Sequence, residues 1–328
     1  MRAAWYEKFG AAREVLIIGD TDTPSVGPGE VLVRLHTSGV NPSDTKKRAG
    51  SFPNLLDDGL VIPNSDGAGV IEAVGDGVNA QRGGERVWVY QAQFARRFGT
   101  AAEYVALDAA RAIRLPDDTS FEIGACLGIP AMTAHRCVFA DGDVAGQTVV
   151  ITGAAGRVGY YAVQWASQAG ARVIATASND ADATACKQAG ATHVVNHRGA
   201  TFAADILAAN NGARVDRAID LEFGANLPTW IATLKTSGSI ATYGSTAMPK
   251  PTLPFSQLMY MDLTIRFVIV YAMPETAKRQ AIDDISTALS AGRLTHRIAA
   301  RYPLAGIASA NEAIEQGIMR GAVILTID

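Results

Sequence analysis

Three glycines at spacing three, Gly153, Gly156 and Gly159, follow directly on the short apolar, β-branched run 149–152. Residues 160–169 then form an amphipathic run with Val163, Trp165, Ala166 and Ala169 available for packing. Gly170 closes it, and 173–176 is again apolar. This order predicts strand, turn, helix and strand. In such a unit the first glycine permits a tight turn and the second lets the backbone approach a phosphate. The third lets the helix lie close to the sheet, and the helix N-terminus offers N–H groups and a positive dipole end. The chemistry that fits is capture of a dinucleotide pyrophosphate by Gly153, Ala154, Ala155, Gly156, Arg157 and Val158. Plain βα turns also carry such glycines; the flanking strand and helix favour the binding reading. Arg157 puts a long cation into this cradle, where it lies against the pyrophosphate or points to solvent.

The end of the second strand bears on which dinucleotide. An acid there accepts bonds from both ribose hydroxyls of NAD. Here the chain reads Thr176-Ala-Ser178-Asn179, and the first acid is Asp180 in the loop. Ser178 and Asn179 would not repel a 2′-phosphate, and His197 and Arg198 are the nearest bases, so NADPH is expected rather than NADH. Later strands end at Leu221 and at Gly244, Ser245 and Thr246, and the carboxyl ends of a doubly wound sheet form its ligand crevice.

These residues need a scaffold, and its outline is legible. At 328 residues the chain is long enough for two domains. Up to about residue 121 it is β-rich, with turn-rich connections. From there helices alternate with short apolar strands, at 149–152, 173–176, 193–196, 217–221, 239–243 and 263–272, which predicts a parallel sheet and an α/β fold. The last strand, 323–327, is expected to return to the first domain. A net charge of −3 gives no footprint for nucleic acid. No apolar run is long enough to span a bilayer, and Met1-Arg-Ala-Ala-Trp-Tyr-Glu-Lys lacks a signal-peptide core, so a cytoplasmic protein is expected. Cys126, Cys137 and Cys186 are dispersed among apolar residues and read as small buried hydrophobes.

Taken in order, Gly39-Val-Asn-Pro-Ser-Asp-Thr, Ile62-Pro-Asn-Ser-Asp-Gly-Ala-Gly, Gly128-Ile-Pro-Ala-Met-Thr-Ala, the Gly153–Gly159 loop, Gly190-Ala-Thr-His-Val-Val-Asn and Gly238-Ser-Ile-Ala-Thr-Tyr-Gly carry a resemblance. The chain resembles, over essentially its full length, the zinc-free quinone oxidoreductase (zeta-crystallin-like) branch of the medium-chain dehydrogenase/reductase superfamily. The resemblance implies a GroES-like catalytic domain, 1–122 with 274–328, and a Rossmann domain, 123–273. Zinc-dependent relatives carry a cysteine where this chain has Asn41, and Gly-His-Glu where it has Asn64-Ser65-Asp66, so no zinc is expected. Without a Lewis acid the acceptor should be already electrophilic, a quinone or an activated alkene.

The resemblance also assigns residues. Asn41 would stand beside the nicotinamide, its alternative being a turn amide before Pro42. Asp44 would serve the site or cap the helix that follows. The Thr133 hydroxyl would touch cofactor or acceptor, and Val270 and Tyr271 would border the nicotinamide. Three departures stand out: Lys46 replaces a family tyrosine that faces the acceptor, Ala322 replaces a lysine after Gly321, and the lysine common near 180 is missing. The expected activity is NADPH-dependent quinone reduction. Reduction of an enoyl thioester or alkenal double bond is the enzymatic alternative, and a non-enzymatic NADPH-binding or RNA-binding protein is the alternative of another class. The apolar stretch 263–272, last in its sheet, is expected to join two copies into a homodimer.

Overall fold

The computed structural model describes residues 1–327. The chain forms two compact units, Met1–Ile129 with the residues from Ile282 onward, and Pro130–Ala281.

In the first unit β1 (Arg2–Trp5) and β2 (Ile17–Asp20) form a small hairpin sheet, with the one-turn α1 (Ala12–Val15) between them. The larger sheet is built on β3 (Glu30–Val40), β4 (Asp66–Val74), β5 (Arg86–Val89), β6 (Tyr104–Asp108) and β7 (Ala112–Arg114). Along β3 the alternation of Val31, Val33 and Leu35 with more exposed neighbours turns one face onto Ile71, Val87, Val89, Val105 and Leu107. α2 (Pro42–Arg48) and α3 (Phe121–Gly124) follow β3 and β7 respectively. Ser120 caps α3, its hydroxyl accepting from Ile123 N–H at 3.3 Å.

The second unit opens with α4 (Met132–Phe139), then runs β8 (Thr148–Ile151), α5 (Arg157–Gln168), β9 (Arg172–Thr176), α6 (Asp180–Gln188), β10 (His193–Val195), α7 (Phe202–Ala209) and β11 (Val215–Asp220). It ends with α8 (Phe223–Thr233), β12 (Leu234–Thr242), α9 (Phe255–Tyr260) and β13 (Thr264–Phe267). Its six strands are all parallel in the order β10-β9-β8-β11-β12-β13. β8 is buried at all four residues, as a strand covered by helices on both faces must be. α10 (Glu275–Ser290) leads the chain out to β14 (Ile298–Pro303), α11 (Ile307–Glu315) and β15 (Ala322–Thr326). β15 pairs antiparallel with β3, returning to the first unit.

One expected strand is shorter than its sequence. The stretch 263–272 is not a single strand: β13 stops at Phe267, Val268 N–H donates to Thr242 O at 2.7 Å, and Val270–Ala272 is a 3₁₀ turn. The ladder ends because its partner β12 ends at Thr242, leaving later residues nothing to pair with. All three cysteines are free and buried. Among the described residues no helix is long and apolar enough to cross a membrane.

Candidate functional site

The glycine loop is shaped by contacts that a Cβ would break. Gly153 takes φ +57°, and a Cβ there would lie 1.8 Å from Leu221 Cδ2. A Cβ on Gly159 would lie 2.2 Å from Gly153 O, so this glycine lets α5 start against the loop. Gly156 is the N-cap of α5 and supplies no side chain to its first turn, where Arg157, Val158 and Gly159 follow. Twelve residues of helix place a positive dipole end at that point.

Hydroxyls at the strand ends hold the loop. Thr152 Oγ1 donates to Asp220 Oδ1 at 2.7 Å and accepts Leu221 N–H at 3.0 Å, while Thr176 Oγ1 accepts Gly153 N–H at 3.2 Å. Asp220, fully buried, also takes Asn226 Nδ2 at 2.8 Å and Trp230 Nε1 at 2.7 Å. One carboxylate thus ties together the ends of β8 and β11 and the start of α8. Sequence reasoning missed it; its only signal was an acid closing an apolar strand.

The expected binding residues that follow the parallel strands lie at this carboxyl edge of the sheet. Leu221 is 37 % exposed after β11. Gly244 O accepts Phe223 N–H at 2.9 Å, and Ser245 Oγ accepts Gly224 N–H at 2.9 Å. Thr246 N–H donates to Glu222 Oε2 at 2.9 Å, and Ala247 N–H to Oε1 at 3.0 Å, so Glu222 clamps the loop after β12. Asn179 caps α6: its Oδ1 accepts Asp182 N–H at 2.9 Å and its Nδ2 donates to Asp182 Oδ2 at 2.8 Å. Its amide is therefore engaged within the chain, beside half-buried Ser178 and exposed Asp180. His197 and Arg198 are exposed after β10. Arg157 is half-buried, so it does not simply point to solvent. Thr133 is buried in α4, and Val270 and Tyr271 are buried in the 3₁₀ turn.

In the first unit, Asn41 is the N-cap of α2, with Asp44 Oδ2 accepting Asn41 N–H at 2.8 Å. Its side-chain Nδ2 reaches Asp66 Oδ2 at 2.9 Å, and the same oxygen accepts Ile129 N–H at 2.8 Å. Asp44 thus does cap α2, and Asn41 is more than a turn amide. Asp66 is completely buried, and desolvation pushes its carboxyl up to about 8, against the hydrogen bonds from Ile129 and Asn41 that favour its charge. Thr100 Oγ1 donates to Asp66 O at 2.6 Å and bonds Ser38 Oγ at 2.8 Å, which accepts Asn64 Nδ2 at 2.9 Å. Buried Lys47 donates to Gln93 O at 2.7 Å and Oε1 at 2.8 Å, and burial lowers its pKa. Neither Asp66 nor Lys47 was a site residue by sequence reasoning. Among the described residues no three of His, Cys, Asp and Glu converge as a metal-ligand group.

Two family models match: alcohol dehydrogenase GroES-like domain over residues 27–117, and zinc-binding dehydrogenase over residues 158–287. Human quinone oxidoreductase is 30 % identical over 324 residues, 97 % of this chain and 94 % of that protein. A mycobacterial protein solved in complex with NADPH superposes with a TM-score of 0.88 at 27 % identity, over 99 % of this chain and 100 % of its own. A solved NAD-dependent alcohol dehydrogenase also gives a TM-score of 0.88 at 27 % identity, over 100 % of both chains. With the parallel Rossmann sheet, the shaped glycine loop and the GroES-like sheet already in view, the chain belongs to the quinone oxidoreductase branch of the medium-chain dehydrogenase/reductase superfamily and is a quinone oxidoreductase-like enzyme.

Proposed function

We propose that the chain reduces quinones with NADPH and without zinc. The observation that carries the cofactor part is the glycine loop, where the absent Cβ atoms of Gly153 and Gly159 let the turn close against Leu221 and the start of α5, whose N-terminus would take a phosphate. Residues 153–158 would hold the pyrophosphate, with the half-buried Arg157 adding a cation. Ser178, with no acid at the end of β9, would lie toward the adenosine ribose, and His197 and Arg198 are the bases nearest a 2′-phosphate in sequence. Leu221 and residues 244–246 would line the crevice, held there by Asp220 and Glu222. Thr133, Val270, Tyr271 and Asn41 are assigned to the nicotinamide end, and Asp44 holds the Asn41 backbone. When bound, the reduced nicotinamide supplies the hydride.

The zinc-free part is supported by the donor set. Asn41 and Asp66 bond each other, and an amide with one carboxyl does not make the thiolate, imidazole and carboxylate set that zinc takes. A quinone or other activated acceptor needs no Lewis acid. Human quinone oxidoreductase and the NADPH-complexed neighbour support this reading; the NAD-dependent neighbour makes cofactor choice the point to measure.

We also propose a homodimer through β13, an edge strand that among the described residues pairs with β12 alone. Phe267 is 69 % exposed and Ile269 52 %, with Phe255 and Tyr260 exposed on α9. The three buried free cysteines suit a reducing cytoplasm. The test of function is NADPH oxidation with 1,4-benzoquinone, an enone and an enoyl thioester, each with and without a chelator. Turnover confined to the thioester would replace quinone by double-bond reduction, and tight NADPH binding without turnover would support a non-enzymatic role.

A further inference from the structure

Asp66 sits inside the first unit with each of its two carboxyl oxygens in a different situation. Oδ2 accepts Ile129 N–H at 2.8 Å, and a backbone N–H can only donate, so Oδ2 acts as an acceptor. Asn41 Nδ2 donates to the same oxygen at 2.9 Å. Oδ1 is buried and has no hydrogen-bond partner among the described residues. The space beside it exists because residue 128 is glycine: a Cβ there would lie 2.1 Å from Oδ1 and 3.2 Å from Tyr90 Cβ. The charged and titratable groups facing the carboxyl are Asp44 and Lys47 of α2 and the Cys126 thiol that precedes residue 128.

We propose that Asp66 is the positioning residue for Asn41: its Oδ2, pinned by Ile129 N–H, takes one Nδ2 hydrogen and fixes the amide so that the second Nδ2 hydrogen is offered to an oxygen of the bound acceptor or cofactor. This deepens the proposed function and rests on its placement of Asn41. The ligand chemistry is a hydrogen-bond acceptor, a quinone carbonyl or a ribose hydroxyl. As hydride arrives at a quinone, negative charge grows on its oxygen, and a preoriented donor stabilises that oxygen more than the ground-state carbonyl. With the amide released, rotation about the Asn41 side chain lets its oxygen take the same place and repel the ligand.

The test is a double-mutant cycle on the full chain with NADPH and 1,4-benzoquinone, reading kcat and KM separately, NADPH affinity by fluorescence, and thermal melting. Asn41→Ala should lower kcat/KM by about tenfold, the size expected for one oriented hydrogen bond. Asp66→Ala should lower kcat/KM on the Asn41 background by a similar factor, yet add less than about twofold to Asn41→Ala, because Asp66 acts only through that amide. Asp66→Asn, which retains an acceptor oxygen, should recover most of the loss seen in Asp66→Ala. Should Asp66→Ala not fold, Gly128→Ala displaces the carboxyl without removing it and should give the same non-additive loss. Independent, multiplying losses would overturn the positioning role and leave Asp66 a purely structural acid. An Asn41→Ala enzyme with unaltered kcat and KM would instead remove Asn41 from the ligand site, and the proposal with it.

Discussion

Replacing Gly153 by alanine tests whether the loop is shaped by steric exclusion, and Leu221 supplies the control. At φ +57° an alanine costs about 1–2 kcal/mol relative to glycine, since its Cβ crowds the carbonyl that follows. The added Cβ would also lie 1.8 Å from Leu221 Cδ2. Relieving that overlap by turning the leucine or shifting the loop costs about 1–3 kcal/mol. Gly153→Ala should therefore destabilise by about 2–5 kcal/mol and, on the proposed pyrophosphate role of the loop, raise the NADPH Kd by about tenfold as the loop backbone moves. Leu221→Ala alone should cost about 1 kcal/mol or less, because the side chain is already 37 % exposed. In the double variant the clash is gone and only the dihedral cost stays, so the two changes should couple by about 1–3 kcal/mol in the favourable direction. Gly159→Ala serves as contrast: its Cβ would meet Gly153 O at 2.2 Å and Ala154 Cα at 2.8 Å, both backbone atoms that Leu221→Ala cannot move. The assay is urea unfolding with linear extrapolation, alongside fluorescence titration with NADPH. Additive losses for Gly153→Ala and Leu221→Ala, or an equal rescue of Gly159→Ala, would refute this reasoning.

Further outcomes follow from the same structure. Proline at Phe267, whose N–H faces away from β12 because Val268 N–H faces toward it, should convert the proposed dimer to a monomer of normal fold by light scattering; a dimer that survives the substitution would remove β13 from the interface. The ratio of kcat/KM should favour NADPH over NADH, and Ser178→Asp should reverse it by placing a carboxylate at the ribose; an NADH preference in the parent enzyme would mean that Asp180 or Asp182 already serves there. Arg157→Gly should weaken NADPH binding by up to about tenfold, and an unchanged Kd would remove the guanidinium from the pyrophosphate site. Because burial raises Asp66 from 3.8 to about 8, its contribution to stability is complete below the lower value and is lost as pH rises toward the upper one. Denaturation midpoints should fall across that window, and Asp66→Asn should flatten the fall; a slope unaltered by the substitution would assign it to other groups.

What the sequence determined by itself is local. Glycines at 153, 156 and 159 after an apolar run, with a helical period following, dictate strand, tight turn and helix, because backbone freedom and side-chain period act over a few residues. Repetition of that unit was enough to imply a parallel sheet. The tertiary structure decided what depends on residues distant in the chain. Asn41, Asp66 and Ile129 meet across separations of 25 and 63 residues, and nothing local to Asp66 announces that burial will raise its pKa. Asp220 reaches back 68 residues to Thr152, so a strand-end acid became the anchor of the glycine loop. The stretch 263–272 carries strand-forming residues throughout, yet it ends as a strand at Phe267, because a strand lasts only as long as the neighbour that satisfies its N–H and C=O groups, and β12 ends at Thr242.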